Sequence, residues 1–226
     1  MTSIYEKELG DDFSKLHPLL QKKFSLFSES GQYAIGRGTM TLIEGGIFLL
    51  KPLFLLATKR NLLFPERGEN VPFSIINFAY KDPYGRETVS WVRRFGFPKK
   101  TRAFDATMVY SEKRKGIIDY LGNRQGLVSP LFFRVTKTGG LEITSDRAYF
   151  VYKGKRVVAP KWASPYATIC EEVNKENGEI TIHVLVEHPV FGKLVEYKGS
   201  FKLSFATLSE LKNIDSLYPV RYSEQE

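Results

Sequence analysis

From residue 71 onward apolar and polar residues alternate with period two, and compact turn signals punctuate the alternation at close intervals. Side chains on a strand point to opposite faces in turn, so this pattern belongs to half-buried strands. Candidate strands are 71–80, 86–97, 102–111, 116–121, 128–136, 141–145, 148–152, 167–174, 179–187 and 193–205. Between them lie turn segments at 82–85, 98–101, 112–115, 137–140 and 175–178. Linkers this short join neighbours antiparallel. The predicted fold is mainly β (α+β by content). It is an antiparallel meander forming a barrel or a strongly curved sheet, with N-terminal helices packed on it.

Residues 1–70 form a helical N-terminal part. Phe13, Leu16, Leu20 and Phe24 recur at helical spacing within 4–24, and His17-Pro18 divides that stretch. Residues 33–43 read as a first strand, with Gly36 and Gly38 inside it. The apolar run 47–63, IFLLKPLFLLATKRNLL, is interrupted by Lys51-Pro52 and Lys59-Arg60. A spanning helix needs about 20 apolar residues, so a buried helix is expected here, with an interfacial amphipathic helix as the second reading. Residues 157–166, with Pro160 and Pro165, read as a loop. The tail 206–226 reads as a short helix that then frays. Without repeats or low-complexity linkers, 1–226 reads as a single domain: 1–70 helical, 71–205 β-meander, 206–226 tail.

At this stage the segments 64–68 (FPERG), 71–95 (VPFSIINFAYKDPYGRETVSWVRRF), 104–122 (FDATMVYSEKRKGIIDYLG) and 188–201 (HPVFGKLVEYKGSF) matter together. They resemble an uncharacterised bacterial domain-of-unknown-function family, also found at the C-terminal end of YndJ-like Bacillus proteins. The resemblance covers roughly residues 4–205. It implies a bacterial source and a module that stands alone or is appended to other proteins. It implies no reaction and no catalytic residue.

Turn lengths give strand register. With 98–101 as a four-residue loop, Phe95 falls opposite Phe104, Arg93 opposite Ala106 and Arg94 opposite Asp105. With 112–115 as the next loop, Met108 falls opposite Asp119. One face then carries Val89, Trp91, Phe95, Phe97, Phe104, Met108, Tyr110, Ile117 and Leu121. It looks inward, and it also carries Arg93 and Asp119. A buried Arg needs a carboxylate, a ligand anion or a route to water. Arg93 and Asp119, with Trp91, Met108 and Tyr110 as apolar wall, are therefore the candidate ligand site. The bland reading is an Arg93–Asp119 bridge. A second row comes from a four-residue turn at 175–178 and a five-residue turn at 188–192. These align Cys170, His183 and Tyr197 as a weaker, reactive candidate.

Other chemistry is thin. His17, His183 and His188 lack metal-ligand spacing, so neither a metal nor a cofactor is expected. Net charge is +8, but the lysines and arginines are dispersed, which argues against a specific nucleic-acid partner. One cysteine, Cys170, allows no internal disulfide, and residues 1–10 hold no apolar signal core, so a cytoplasmic chain is expected. The leading function is binding of an apolar or acidic amphipathic, lipid-like small molecule inside the sheet. The alternative is an accessory or interaction domain with a filled core, and an enzyme in the same cavity comes third. Oligomeric state is not legible.

Overall fold

A computed structural model describes residues 2–46, 48–152, 155–211 and 213–223. Helices α1 (Ile4–Leu9) and α2 (Pro18–Phe24) flank a 3-10 segment, Gly10–Lys15. Strand β1 (Gln32–Glu44) and helix α3 (Lys51–Thr58) follow. Then come β2 (Gly68–Lys81), β3 (Glu87–Phe97), β4 (Lys100–Ser111), β5 (Gly116–Leu121), β6 (Leu127–Val135) and β7 (Leu141–Ser145). The last strands are β8 (Tyr149–Tyr152), β9 (Lys155–Val158), β10 (Tyr166–Val173), β11 (Ile180–His188) and β12 (Gly192–Thr207).

Ten of these strands close on themselves in the order β5-β4-β3-β2-β1-β12-β11-β10-β7-β6, with β6 returning to β5. All pairings are antiparallel. Closure leaves no free edge along the barrel, which is how a meander of this length avoids edge-to-edge association. The hairpin β8–β9 hangs outside the ring on the first residues of β6, Leu127 and Val128. Its second strand occupies part of the stretch expected to be loop, because Val157 and Val158 find partners in Phe150 and Tyr149.

Inward positions of the ten barrel strands form one continuous apolar core. The glycines of β1 exist for this core. A Cβ on Gly36 would stand 2.5 Å from the buried Phe201 ring, so the strand can pass that ring only without a side chain.

The first segment closes one end of the barrel. His17 accepts the Leu19 N–H on its Nδ1, at 3.2 Å, and Pro18 opens α2, so the predicted division of the helix falls at His17-Pro18. Tyr5 and Phe24 meet edge-to-face at 4.8 Å inside the barrel. Glu8 accepts the Ile117 N–H of β5, and the Gly139 carbonyl accepts the His17 N–H, which ties the plug to the rim.

Two expectations fail here. The run 47–63 is not a buried helix. Among its described residues, α3 buries only Phe54 fully, while Phe48 (86% exposed), Leu49 (77%) and Leu56 (59%) face outward. Pro52 sits in the first turn of α3, where no N–H is needed, so Lys51-Pro52 starts the helix instead of breaking it. Second, the tail does not fray over its described part. Residues 213–223 lie across the outer face of β2 and β3, where Tyr218 packs edge-on against Tyr80 at 4.7 Å. Their last residues are held by Val220 N–H to Asn123 O (2.7 Å) and Ser223 N–H to Gln125 Oε1 (2.7 Å). No helix among the described residues is long and apolar enough to cross a membrane.

Candidate functional site

The register between β3 and β4 differs from the expected one by two residues. The loop is Pro98-Lys99 alone, so Arg93 pairs with Phe104 and Trp91 with Ala106. A shift of two preserves which face each residue occupies. Arg93 and Asp119 are therefore inside, with relative exposures of 4% and 7%. Met108 stands opposite Asp119, and Tyr110 opposite Ile117, as the next turn predicts. Arg94 pairs with Ala103, yet its guanidinium still reaches Asp105 Oδ1 diagonally at 2.5 Å on the outer face.

A cavity of about 340 Å³ occupies the barrel interior on the α3 side. Trp91, Phe104 and Met108 form one wall, and Ile143, Ile169 and Val184 the facing one. Leu53, Phe54 and Ala57 of α3 roof it. It reaches the surface beside the roof, because the lining residues Leu53, Tyr166 and Phe191 are themselves well exposed. The roof is pinned after α3. Arg60 O accepts the Asn123 N–H at 2.9 Å, and Asn61 O accepts the Asp105 N–H at 2.9 Å. Gly122, at φ 73°, allows that approach, since a Cβ there would stand 2.4 Å from the Arg60 carbonyl.

Two buried ionisable groups, Arg93 and Asp119, line this apolar space, and Tyr166 and His188 line it at less buried positions. Arg93 donates through Nε to Phe104 O (2.8 Å) and through Nη1 to the Tyr197 hydroxyl (3.0 Å), with its guanidinium 4.1 Å from the Phe104 ring centroid. Asp119 Oδ1 is buried with no hydrogen-bond partner, and Asp119 forms no contact ion pair with Arg93. The bland reading, a closed Arg93–Asp119 bridge, is thus not what the interior holds. Burial pushes the Asp119 carboxyl up from its ordinary 3.8 to about 7, against the opposing pull of the Arg93 charge and the Thr107 backbone. A buried acceptor left open in this way calls for a ligand or a water.

The sign of the resulting stability effect is fixed. The folded chain holds the Asp119 proton more tightly than the unfolded one, so this group costs progressively more stability as pH rises from 3.8 to about 7. Asp119→Asn removes that cost. We expect the variant to gain on the parent by up to roughly 4 kcal/mol between about pH 4 and about pH 7.5. Denaturant titrations at several pH values measure the gain, and a pH-independent difference would contradict the buried carboxyl.

The remaining sequence candidates separate. Tyr110 is inward but does not line the cavity; it lies toward the plugged end, under Lys7. Cys170 does pair with His183, but His183 pairs with Lys198, and Tyr197 with Val184. A bulge after Val186 shifts β11 against β12 by one residue, which turns Tyr197 inward and leaves Cys170 and His183 outside. Burial, then Glu142 and Glu172, raise the Cys170 thiol pKa, while His183 Nε2 lies 2.8 Å from Glu196. That outer pair is not an activated nucleophile. Among the described residues no three His, Cys, Asp or Glu side chains gather into a metal-holding group.

Sequence reasoning missed a second polar feature of the interior. Lys23 of α2 reaches both carboxylate oxygens of Glu171 on β10, at 2.6 and 2.5 Å, with both side chains about 1% exposed. Lys23 Nζ also lies 4.7 Å from the Trp91 ring centroid. Trp91 in turn donates to the Tyr5 hydroxyl at 2.9 Å, and that hydroxyl donates to Met108 Sδ at 3.2 Å. The floor of the cavity is therefore a bonded layer, and it holds Trp91 and Met108 in place.

A family model described as a domain of unknown function, DUF4166, matches residues 16–201. The uncharacterized protein YndH of Bacillus subtilis (strain 168) is 37% identical over 202 residues, spanning 89% of this chain and 97% of YndH. No solved structure matches the chain.

Proposed function

Because this chain belongs to the DUF4166 family, whose description assigns no activity, its function has to be read from the barrel interior, and we propose that it binds a small amphipathic molecule there. The hydrocarbon part lies between the Trp91–Met108 wall and the Val184 wall, and an acidic group faces Arg93. One observation carries this reading: a cavity of about 340 Å³, almost wholly apolar, whose two buried ionisable side chains, Arg93 and Asp119, do not satisfy one another. Ligand pockets run from roughly 300 to 1,000 Å³, so the space suits one short chain or a small ring system and is too small for a two-chain phospholipid. The filled-core alternative gives no account of that volume.

Asp119 gives the site a pH dependence. Ionised, it repels an incoming carboxylate; protonated, it can donate a hydrogen bond to one. The charged groups near it are Arg93 on β3 and, through the floor layer, Glu171 and Lys23. A dansyl-labelled undecanoic acid is expected to bind with fluorescence enhancement at one site per chain. Its affinity is expected to weaken as pH rises through about 7, and its methyl ester to show no such slope. The slope is expected to vanish in Asp119→Asn. No saturable binding at any pH, or equal slopes for acid and ester, would refute the proposal.

A further inference from the structure

We infer that the open end of the barrel docks on an anionic lipid bilayer, with α3 and the loop around Trp162 lying in the interface. The face itself stands on exposed residues. Phe48, Leu49, Leu55 and Leu56 project from the roof segment, and Trp162 (67% exposed) and Val190 from the neighbouring loops. They surround the point where the cavity reaches the surface, since Leu53, Ala163, Pro165 and Phe191 of the same segments line it. Contiguous apolar exposure of this kind marks a contact site.

Charge selects the occupant. Residues 45–65 contain Lys51, Lys59 and Arg60 and no Asp or Glu. Residues 147–170 contain Arg147, Lys153, Lys155, Arg156 and Lys161 and no Asp or Glu. Those eight cations equal the net charge of the whole chain, +8; the remaining 25 lysines and arginines and 25 acidic residues cancel in total, although 93–102 and 113–115 are locally basic. The roof segment and the stretch that includes the Trp162 loop therefore carry positive charge with no acidic residue among them. Apolar side chains interleaved with lysine and arginine are what an anionic bilayer surface holds, through buried area and about 1 kcal/mol per surface-bound cation. A second copy of the chain is a poor occupant, because two such faces would meet with like charge. Docking in this orientation sets the cavity opening against the bilayer. A single-chain amphiphile could then pass beneath α3 without crossing water. That last step rests on the cavity reading, whereas the docking face does not.

Co-sedimentation with vesicles tests the inference. The full chain is expected to pellet with phosphatidylcholine vesicles containing about one third phosphatidylglycerol, less at high salt, and not with phosphatidylcholine alone. Trp162 emission should shift to the blue on binding, a shift lost in Trp162→Phe. Leu49→Glu/Leu56→Glu, at exposed positions outside the cavity lining, is expected to weaken partition at least roughly tenfold while still binding the dansyl fatty acid in free solution. Arg93→Met should do the reverse, retaining vesicle binding while losing the acid probe, so failure of the pocket and failure of the docking face are distinguishable. Absence of pelleting with anionic vesicles would overturn the inference. So would pelleting unaffected by the double variant, or a dimer by light scattering that the double variant dissociates.

Discussion

Lys23→Met is expected to cost about 3–5 kcal/mol of folding stability, the largest loss at any single residue discussed above. The variant keeps most of the apolar stem, so the loss is electrostatic. Glu171 remains behind, fully buried, without the ammonium that meets both of its oxygens. A carboxylate in that position must either ionise uncompensated or take up a proton. Burial already pulls the Lys23 ammonium below its ordinary pKa, with Glu171 opposing, so the pair persists because each partner answers the other's desolvation. A domain of ordinary stability has roughly 5–15 kcal/mol in total, and the thermal midpoint should fall by about 10 °C. The paired change Lys23→Met/Glu171→Leu is expected to recover most of the loss, because well-packed apolar residues often replace a buried pair at little cost. Thermal and denaturant unfolding of the three variants measure this. A loss under about 1 kcal/mol for Lys23→Met would mean that the pair is solvated and that the floor of the cavity is open.

Arg93→Met carries the largest effect on binding. A hydrogen bond to a charged group contributes about 1.5–3 kcal/mol, so the acid probe should lose roughly 10- to 150-fold in affinity, while its methyl ester changes within about twofold. Stability should fall moderately, since the Phe104 carbonyl and the Tyr197 hydroxyl each lose a donor and Asp119 loses the one charge that lowers its pKa. The cycle with Asp119→Asn separates ligand binding from scaffolding. The two groups make no contact pair, so a stability coupling of about 1 kcal/mol or less is expected. A coupling near 3–5 kcal/mol, together with no acid affinity in any background, would make the two residues a structural bridge and remove the main support for the site.

How much of this was legible follows from strand parity. The 98–101 loop was read two residues too long, yet Trp91, Arg93 and Phe95 stayed on the correct face, because a shift of two leaves parity intact. The bulge after Val186 is a shift of one, and it alone takes Tyr197 out of the row with Cys170 and His183 and places it beside Arg93 in the barrel. Bulges leave little trace in local composition, so that error could not be corrected from the sequence. Lys23 and Glu171 lie 148 residues apart, and nothing local links them. The positions themselves were readable: Lys23 falls three after Leu20 on the buried side of α2, and Glu171 alternates with Ile169 and Val173. The run 47–63 reads as apolar whether it is buried or merely covers a mouth. Its exposure follows from its place as the roof of the cavity: α3 turns one side toward that space, burying only Phe54 fully, and leaves the other side outward. An antiparallel meander curved into a barrel or strongly curved sheet, with helices packed on it, follows from alternation and short turns; the closure into a ring of ten strands is what the structure adds.

The central claim is that the interior between the Trp91 and Val184 walls is a ligand site and not an unfilled defect of packing. The most direct measurement is a crystal structure of the protein grown with the dansyl undecanoic acid at neutral pH or below. The expected result is density for one extended chain inside the barrel, its dansyl group beneath or beside α3. Its carboxylate should lie within hydrogen-bonding distance of Arg93 and of the open oxygen of Asp119. A barrel whose interior is collapsed or holds only water, with probe density confined to the outer face of α3, would contradict the account.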